Sequence, residues 1–298
     1  MLLRRVRIGW KLFRPLTLTA SLVPVLAGTV LGAERAGHFR PGLFLVFLGI
    51  CLLMQGATNM FNEYYDWRRG LDTAESLGIA GAIVRDGVPP KAVWLGAWTA
   101  VALAVAGGLW LGYRMGSWLW WLGGLSVLAG WSYSGGPRPV AYGPFGELVV
   151  AVFMGPFILG VAYDLQAGHW GAAAWLDSGP IALLVAAILF ANNLRDLDQD
   201  RARGRRTLAI GLGMQRGWRF LAMVYLVAGL WTVGLILAGY LTWGGLLAVL
   251  AAPTAWHSLR AFRHGEGARG MALTAQTHLQ YGLALVGGLF LAGLTGGH

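Results

Sequence analysis

Long apolar runs constrain the fold of this chain more than any other feature of its sequence. Apolar residues recur in runs of about 17–23, and a helix of that length crosses the roughly 30 Å hydrocarbon core of a bilayer. The chain is 56% hydrophobic and only 12% charged. We therefore predict an all-α integral membrane protein with nine transmembrane helices and no separate soluble domain. The spans are expected at about residues 15–33, 42–63, 92–113, 116–133, 146–163, 180–194, 219–238, 241–257 and 274–295.

The basic residues indicate how these spans are oriented. The net charge is +10, and all the Lys and Arg residues except Arg35, Arg40 and Arg114 fall in segments on one side of the predicted bundle. Under the positive-inside rule these segments are cytoplasmic, so we expect a cell-membrane protein with its N-terminus inside. This distribution explains the positive charge without nucleic acid as a partner. Residues 1–14 are then expected to be a cytoplasmic tail and not a cleaved signal peptide.

Two polar clusters follow apolar runs on the predicted cytoplasmic side. Asn62 and Asp66 are four residues apart, and Asn192, Asp196 and Asp200 repeat that spacing. On a helix, residues four apart share a face and lie about 5–6 Å from one another. The matching register suggests an internal repeat within a single membrane domain, residues 1–298. The expected parts are a four-helix unit over about 15–133, a second over about 146–257, and a ninth helix at about 274–295.

The side chains of both clusters are of the kinds that bind Mg²⁺. Carboxylate and amide oxygens suit this hard cation, which also accepts oxygens from substrate phosphates. Converging carboxylates repel each other, and a diphosphate bridged by Mg²⁺ would satisfy both sides. Zinc is disfavoured because the chain has one cysteine, Cys51, and its six histidines are scattered. The alternative is that both clusters are simply solvated helix ends.

Five further residues each admit two or more interpretations. Arg195 lies inside the second cluster and either binds phosphate oxygens or fixes the topology, and Arg14 and Arg138 have the same two alternatives. Tyr133 precedes a Gly-Gly-Pro turn and is either a cation–π partner for a carbocation or an interfacial tyrosine. Glu147 either acts as a base, contacts an aromatic substrate or lies at the membrane interface.

The first cluster continues from Asn62 to Asp72, and the second, Asn192 to Asp200, is followed by Gly204 to Leu208. In this arrangement they resemble the two Asp-rich motifs of the UbiA superfamily of membrane prenyltransferases. The segment Tyr133 to Pro139, with Tyr142-Gly143 and Gly146-Glu147 after it, resembles one branch of that superfamily, the 1,4-dihydroxy-2-naphthoate polyprenyltransferases of menaquinone (vitamin K2) biosynthesis. Two positions depart from the usual pattern but keep its charge, because Glu63 replaces Asp and Arg138 replaces Lys.

The resemblance implies a nine-helix bundle around a central cavity and an Mg²⁺-dependent reaction. A polyprenyl diphosphate would place its head group between the two Asp motifs, and 1,4-dihydroxy-2-naphthoate would be prenylated with loss of CO₂ to give demethylmenaquinol. The catalytic residues are expected to be Asn62, Asp66, Asp196, Asp200 and Tyr133, with Mg²⁺ bound by Asn62, Asp66, Asp72, Asp196 and Asp200. The diphosphate is expected to contact Arg14, Arg138, Arg195, Asn192, Asn193 and Arg206, and the acceptor to contact Glu147.

Other functions stay open at this point. Another member of the superfamily would prenylate 4-hydroxybenzoate, haem or a lipid, and spacing alone does not distinguish these acceptors. A secondary transporter with an internal repeat is a more distant alternative, and so is a structural membrane subunit. The sequence does not give the prenyl chain length or the oligomeric state.

Overall fold

The computed structural model describes residues 2–72, 81–169 and 171–294, and over these residues its regular structure is helical. The prediction of an all-α protein is confirmed. The α-helices are α1 (Leu2–Phe13), α2 (Pro15–Ala36), α3 (Pro41–Arg68), α4 (Pro90–Met115), α5 (Trp118–Ser134), α6 (Gly146–Val152), α7 (Ile158–Ala167), α8 (Ala172–Arg195), α9 (Leu197–Ala202), α10 (Leu208–Leu237), α11 (Ala252–Arg263) and α12 (Gly267–Leu294). The described residues also contain two 3₁₀-helices, Val140–Tyr142 and Trp243–Ala251, and a π-helix, Phe153–Phe157.

Six helical segments of the described residues are long and apolar enough to cross a membrane. They are Thr17–Ala36, Pro41–Arg68, Pro90–Met115, Gly146–Ala167, Ala174–Arg195 and Leu208–Leu237. They coincide with six of the nine predicted spans. The predicted span 116–133 corresponds to α5, which has 17 residues, and 241–257 is divided between a 3₁₀-helix and α11. The total of nine membrane helices therefore stays a prediction.

The outer surfaces of these helices are apolar. Leu103 and Leu109 of α4, and Leu226, Leu230 and Leu237 of α10, are all more than half exposed. An apolar surface of this kind would be unfavourable in water, but hydrocarbon chains can cover it. The helices thus have the lipid-facing surface expected of a multi-pass membrane protein.

Helices α8 and α10 begin earlier than the apolar pattern predicted. α8 begins at Ala172 and not near residue 180, because Pro180 lies inside the helix and does not end it. Proline is tolerated in membrane helices where neighbouring helices compensate, and α8 packs against α6, α10 and α12. α10 begins at Leu208 and contains a kink at Gly213, whose φ of 69° is outside the helical region. The kink separates a short apolar first segment, Leu208 to Leu212, from the rest of α10.

The chain forms two compact units. The first contains Met1–Leu18 and Leu45–Pro144. Its core is made by Leu12 of α1, Phe61 of α3 and Val93 of α4. This core holds the C-terminal end of α3, which carries the first Asp motif.

The second compact unit contains Thr19–Phe44 and Phe145–His298. Its core includes Val23 of α2, Leu159 of α7, Ile181 of α8 and Leu285 of α12. α2 and α7 approach closely at Gly28, where a Cβ would overlap the backbone oxygen of Leu159. The middle of α8 lies in this core, and the C-terminal end of the same helix carries the second Asp motif. The predicted repeat of two four-helix units stays a prediction.

Candidate active site

The first Asp motif lies at the C-terminal end of α3, where its residues share one helix face as their spacing predicted. Asn62 Nδ2 donates to Asp66 Oδ2 at 3.1 Å, one helical turn away. The other carboxylate oxygen, Oδ1, accepts from the hydroxyl of Tyr142 at 2.7 Å. Asp66 is 7% exposed. The carboxylate is therefore buried and fixed through both oxygens, which suits a group that must present a defined geometry to a ligand.

Two residues of this network were missed as functional candidates by the sequence interpretation. Arg69 was interpreted only as one of the basic residues that indicate membrane orientation, and Tyr142 only as part of a segment that resembles one branch of the superfamily. In the structure Arg69 donates to the hydroxyl of Tyr142 at 3.0 Å. The signal for Arg69 was its position three residues after Asp66, on the same face of the helix end.

Glu63 lies beside Asn62 in the sequence, but its carboxylate contacts a different part of the first unit. It is 1% exposed. Its two carboxylate oxygens accept from the backbone N–H groups of Gly81 and Ile83 at 3.0 and 3.1 Å. Arg14 Nη2 is 3.8 Å from Glu63 Oε2. Glu63 therefore fixes the segment that precedes α4 and shares its charge with an arginine at the start of α2.

The other predicted residues of the first unit lie around the same end of α3. Arg14 is partly buried and has a positive φ of 50°, between α1 and α2. Asp72 is half-buried and follows the end of α3, where Leu71 N–H donates to the carbonyl of Asp66 at 2.8 Å. Tyr133 is half-buried near the end of α5, whereas Arg138 is exposed in the turn that follows.

The second Asp motif spans the break between α8 and α9. Asp196 ends α8 with a φ of −93° and a ψ of 11°. Backbone hydrogen bonds between residues four apart nevertheless continue on both sides of Asp196. Asp196 N–H donates to Asn192 O at 3.2 Å, and Asp200 N–H donates to Asp196 O at 2.9 Å. The spacing of four residues is thus maintained through the break.

Arginine side chains pair with both carboxylates of the second motif. Arg195 donates through Nε and Nη2 to the two oxygens of Asp196, at 2.7 and 2.5 Å. Arg205 Nη1 is 3.3 Å from Asp200 Oδ1, and Asp200 is 3% exposed. Arg206, the predicted diphosphate residue, is exposed. The predicted importance of Arg195 thus has a structural counterpart, although its partner here is a carboxylate.

Glu147 and Asn193, which were predicted to contact different parts of the substrates, contact each other. Asn193 Nδ2 donates to Glu147 Oε1 at 2.9 Å, and both side chains are buried. Glu147 Oε2 is buried and has no hydrogen-bond partner among the described residues. A buried carboxylate oxygen without a donor is unfavourable, which makes it a candidate acceptor for a substrate hydroxyl.

The donor atoms of the two motifs fit Mg²⁺. Asn62 and Asp66 in the first unit, and Asp196 and Asp200 in the second, offer amide and carboxylate oxygens. In the described ranges no three Asp, Glu, His or Cys side chains come together as a metal cluster. Mg²⁺ commonly uses only one or two carboxylates and completes its coordination with water and phosphate oxygens. A sparse set of oxygen donors is compatible with that coordination.

The chain matches the UbiA prenyltransferase family over residues 21–293. Because the match covers most of the chain, the protein belongs to this family of membrane prenyltransferases. The 1,4-dihydroxy-2-naphthoate octaprenyltransferase of Bacillus subtilis (strain 168) is 40% identical to it over 290 residues, which are 96% of this chain and 93% of the relative.

Solved structures of the family share the fold. The apo structure of a UbiA homolog from Aeropyrum pernix K1 superposes with a TM-score of 0.69 at 15% identity, over 89% of this chain and 96% of that one. A UbiA homolog from Archaeoglobus fulgidus, bound to GPP and Mg²⁺, has a TM-score of 0.57 at 15% identity, over 94% of this chain and 99% of that one. The all-helical UbiA-like fold predicted from the sequence is therefore confirmed.

Proposed function

We propose that this protein transfers a polyprenyl group from polyprenyl diphosphate to 1,4-dihydroxy-2-naphthoate, with loss of CO₂, in menaquinone biosynthesis. The observation that carries the proposal is the 40% identity to the Bacillus subtilis 1,4-dihydroxy-2-naphthoate octaprenyltransferase over 96% of the chain. Both Asp motifs support it, because their side chains supply oxygen ligands of the kind that Mg²⁺–diphosphate chemistry requires.

The proposed Mg²⁺ ligands are Asn62, Asp66, Asp72, Asp196 and Asp200. When bound, Mg²⁺ would join these side chains to the diphosphate and stabilise the negative charge of the leaving group. The protein's own contribution is orientation, since Tyr142 and Asn62 fix the carboxylate of Asp66 and Arg195 fixes that of Asp196. The proposed diphosphate contacts are Arg14, Arg138, Arg195, Asn192, Asn193 and Arg206.

Cleavage of the C–O bond of the prenyl substrate leaves an allylic cation, which water would trap. An apolar surrounding excludes water, and the ring of Tyr133 would face the cation through its π electrons. An electron-rich carbon of the naphthoate ring then attacks, forming the new C–C bond, and the carboxylate leaves as CO₂.

Glu147 is the proposed acceptor-binding residue. Asn193 holds its Oε1, and its Oε2 would accept a hydrogen bond from a hydroxyl of the naphthoate. This contact would orient the aromatic ring and increase the electron density at the attacking carbon.

The proposed topology has nine membrane helices, in two four-helix repeats and a last helix, with the N-terminus and the Asp motifs on the cytoplasmic side. The concentration of basic residues in predicted cytoplasmic segments supports this orientation. The long apolar tail of the prenyl substrate would lie in contact with the bilayer, which explains why a membrane fold suits this reaction.

A membrane assay tests the proposal. Membranes containing the protein are given a polyprenyl diphosphate and Mg²⁺ with either 1,4-dihydroxy-2-naphthoate or 4-hydroxybenzoate, and the prenylated products are identified by mass spectrometry. We expect a product from the naphthoate alone and its loss on addition of EDTA. A product from 4-hydroxybenzoate alone would contradict the proposed acceptor, and no product from any acceptor would contradict the prenyl transfer itself.

A further inference from the structure

Arg69 joins three parts of the first unit, and the proposed reaction assigns this residue no role. Its Nη1 donates to the backbone oxygen of Ser134 at 2.7 Å, and its Nη2 donates to that of Gly136 at 2.9 Å. The guanidinium group also lies over the rings of Tyr65 and Tyr142, at 5.2 and 5.0 Å from their centroids. One side chain therefore connects the end of α3 to the Gly-Gly-Pro turn and to Tyr142.

The chemistry of the three groups fixes the direction of the hydrogen bonds between them. A guanidinium group can only donate, and an ionised carboxylate can only accept. The hydroxyl of Tyr142, which lies 3.0 Å from Arg69 Nη1 and 2.7 Å from Asp66 Oδ1, must accept from the first and donate to the second. The result is a relay from Arg69 through Tyr142 to Asp66, in which each bond strengthens the next.

We infer that Arg69 and Tyr142 are positioning residues that hold the carboxylate of Asp66 in the orientation that binds the Mg²⁺–diphosphate. The inference rests on the proposed function, because it requires Asp66 to be a ligand of that group. Asn62 Nδ2 donates to Oδ2 and the Tyr142 hydroxyl donates to Oδ1, so each oxygen of the carboxylate is held by a donor. Hydrogen bonds of this kind to a metal-binding side chain commonly change metal affinity or activity by about 10–100-fold.

Tyr142→Phe is the sharpest test, because it removes one hydroxyl and retains the ring beneath Arg69. Arg69 Nη1 has two N–H groups, and the one that donates to the Ser134 carbonyl keeps its acceptor, while the one that donates to Tyr142 loses it. The carboxylate of Asp66 loses the Tyr142 donor to Oδ1 and is oriented less firmly. We expect binding of the metal to weaken by about tenfold.

The experiment uses the full chain, purified in detergent, with Mn²⁺ as the spectroscopic substitute for Mg²⁺ and the unreactive analogue geranyl S-thiolodiphosphate. Electron paramagnetic resonance measures the signal of free Mn²⁺, and the decrease relative to a protein-free sample with the same total Mn²⁺ gives the bound concentration. The matched control is Tyr225→Phe, which also removes a hydroxyl with two partners, Ser258 and Thr274, outside this network. We expect Tyr225→Phe to leave Mn²⁺ affinity unchanged.

A double-mutant cycle tests whether Arg69 acts through Tyr142. Arg69→Lys keeps the charge but loses the planar fork, so it should weaken Mn²⁺ binding in the wild-type background. In the Tyr142→Phe background the same change should have almost no further effect on Mn²⁺ affinity. Equal and additive effects of Arg69→Lys in both backgrounds would overturn the relay.

The same data separate this inference from the proposed function. If Asp66→Asn binds Mn²⁺ as the wild type does, or if the wild type does not bind it, the role of Asp66 in the proposed function is wrong. If Asp66→Asn loses binding but Tyr142→Phe retains wild-type affinity, only the positioning role is wrong. A loss in Tyr225→Phe equal to that in Tyr142→Phe would also overturn it, because a general loss of stability would then explain both.

Discussion

Replacement of Glu63 with glutamine tests the contacts that hold the segment before α4. In the wild type both carboxylate oxygens accept from backbone N–H groups, those of Gly81 and Ile83. In Glu63→Gln one oxygen becomes an NH₂ group, so one buried N–H loses its acceptor at a cost of about 1–3 kcal/mol. The remaining bond loses its charge assistance, which costs about 1 kcal/mol more. The expected loss of stability is about 2–4 kcal/mol, or roughly 5–10 °C in the unfolding midpoint.

The assay can use the protein's own cysteine. Cys51 is the one cysteine of the chain and is buried in α3, so a thiol-reactive fluorophore labels it only when the protein unfolds. Glu266→Gln is the control, because Glu266 pairs with Arg269 at a side-chain exposure of 47% and 68% and such a pair contributes little. If Glu63→Gln unfolds within 1 °C or so of the wild type while remaining folded, the reasoning about the buried carboxylate is refuted.

Three further predictions concern the site and the packing. Asp66→Asn and Asp196→Asn should abolish prenyl transfer while the protein still folds, and retained turnover in either would contradict the metal–diphosphate role of that residue. Glu147→Gln should raise KM for the naphthoate but leave KM for the prenyl diphosphate unchanged, and an unchanged KM for the naphthoate would exclude the acceptor contact. Gly28→Leu should prevent accumulation of folded protein, because even a Cβ at Gly28 would overlap a backbone oxygen. Gly49→Ala should be tolerated, since no atom lies within 4 Å of the added Cβ. Equal yields of the two variants would contradict the close packing at Gly28.

Local spacing predicted the parts of the site that a helix determines. Asn62 and Asp66 are one turn apart on α3 and touch, as their spacing requires. Asp196 and Asp200 keep the corresponding backbone bond even though the helix breaks at Asp196. In both motifs the geometry follows from five consecutive residues, so a single sequence was sufficient.

Contacts between distant residues could not be predicted in that way. Arg69 contacts the turn after α5 and Tyr142, which lie more than 60 positions later in the chain. Glu63 accepts from backbone N–H groups that lie 18 and 20 positions later in the chain, and no side-chain pattern marks a backbone donor. Hydropathy likewise predicted the apolar spans but not the earlier starts of α8 and α10, because the packing of neighbouring helices decides whether a proline or a glycine ends a membrane helix.

The most direct test of the account measures the fate of the naphthoate carboxylate. The purified protein is given 1,4-dihydroxy-2-naphthoate labelled in its carboxyl carbon, a polyprenyl diphosphate and Mg²⁺, and labelled CO₂ and free diphosphate are counted together. We predict that the two are released in equal amounts, that the prenylated product carries no label, and that EDTA stops both. Release of diphosphate without labelled CO₂, or a prenylated product that retains the carboxyl label, would contradict the proposed reaction.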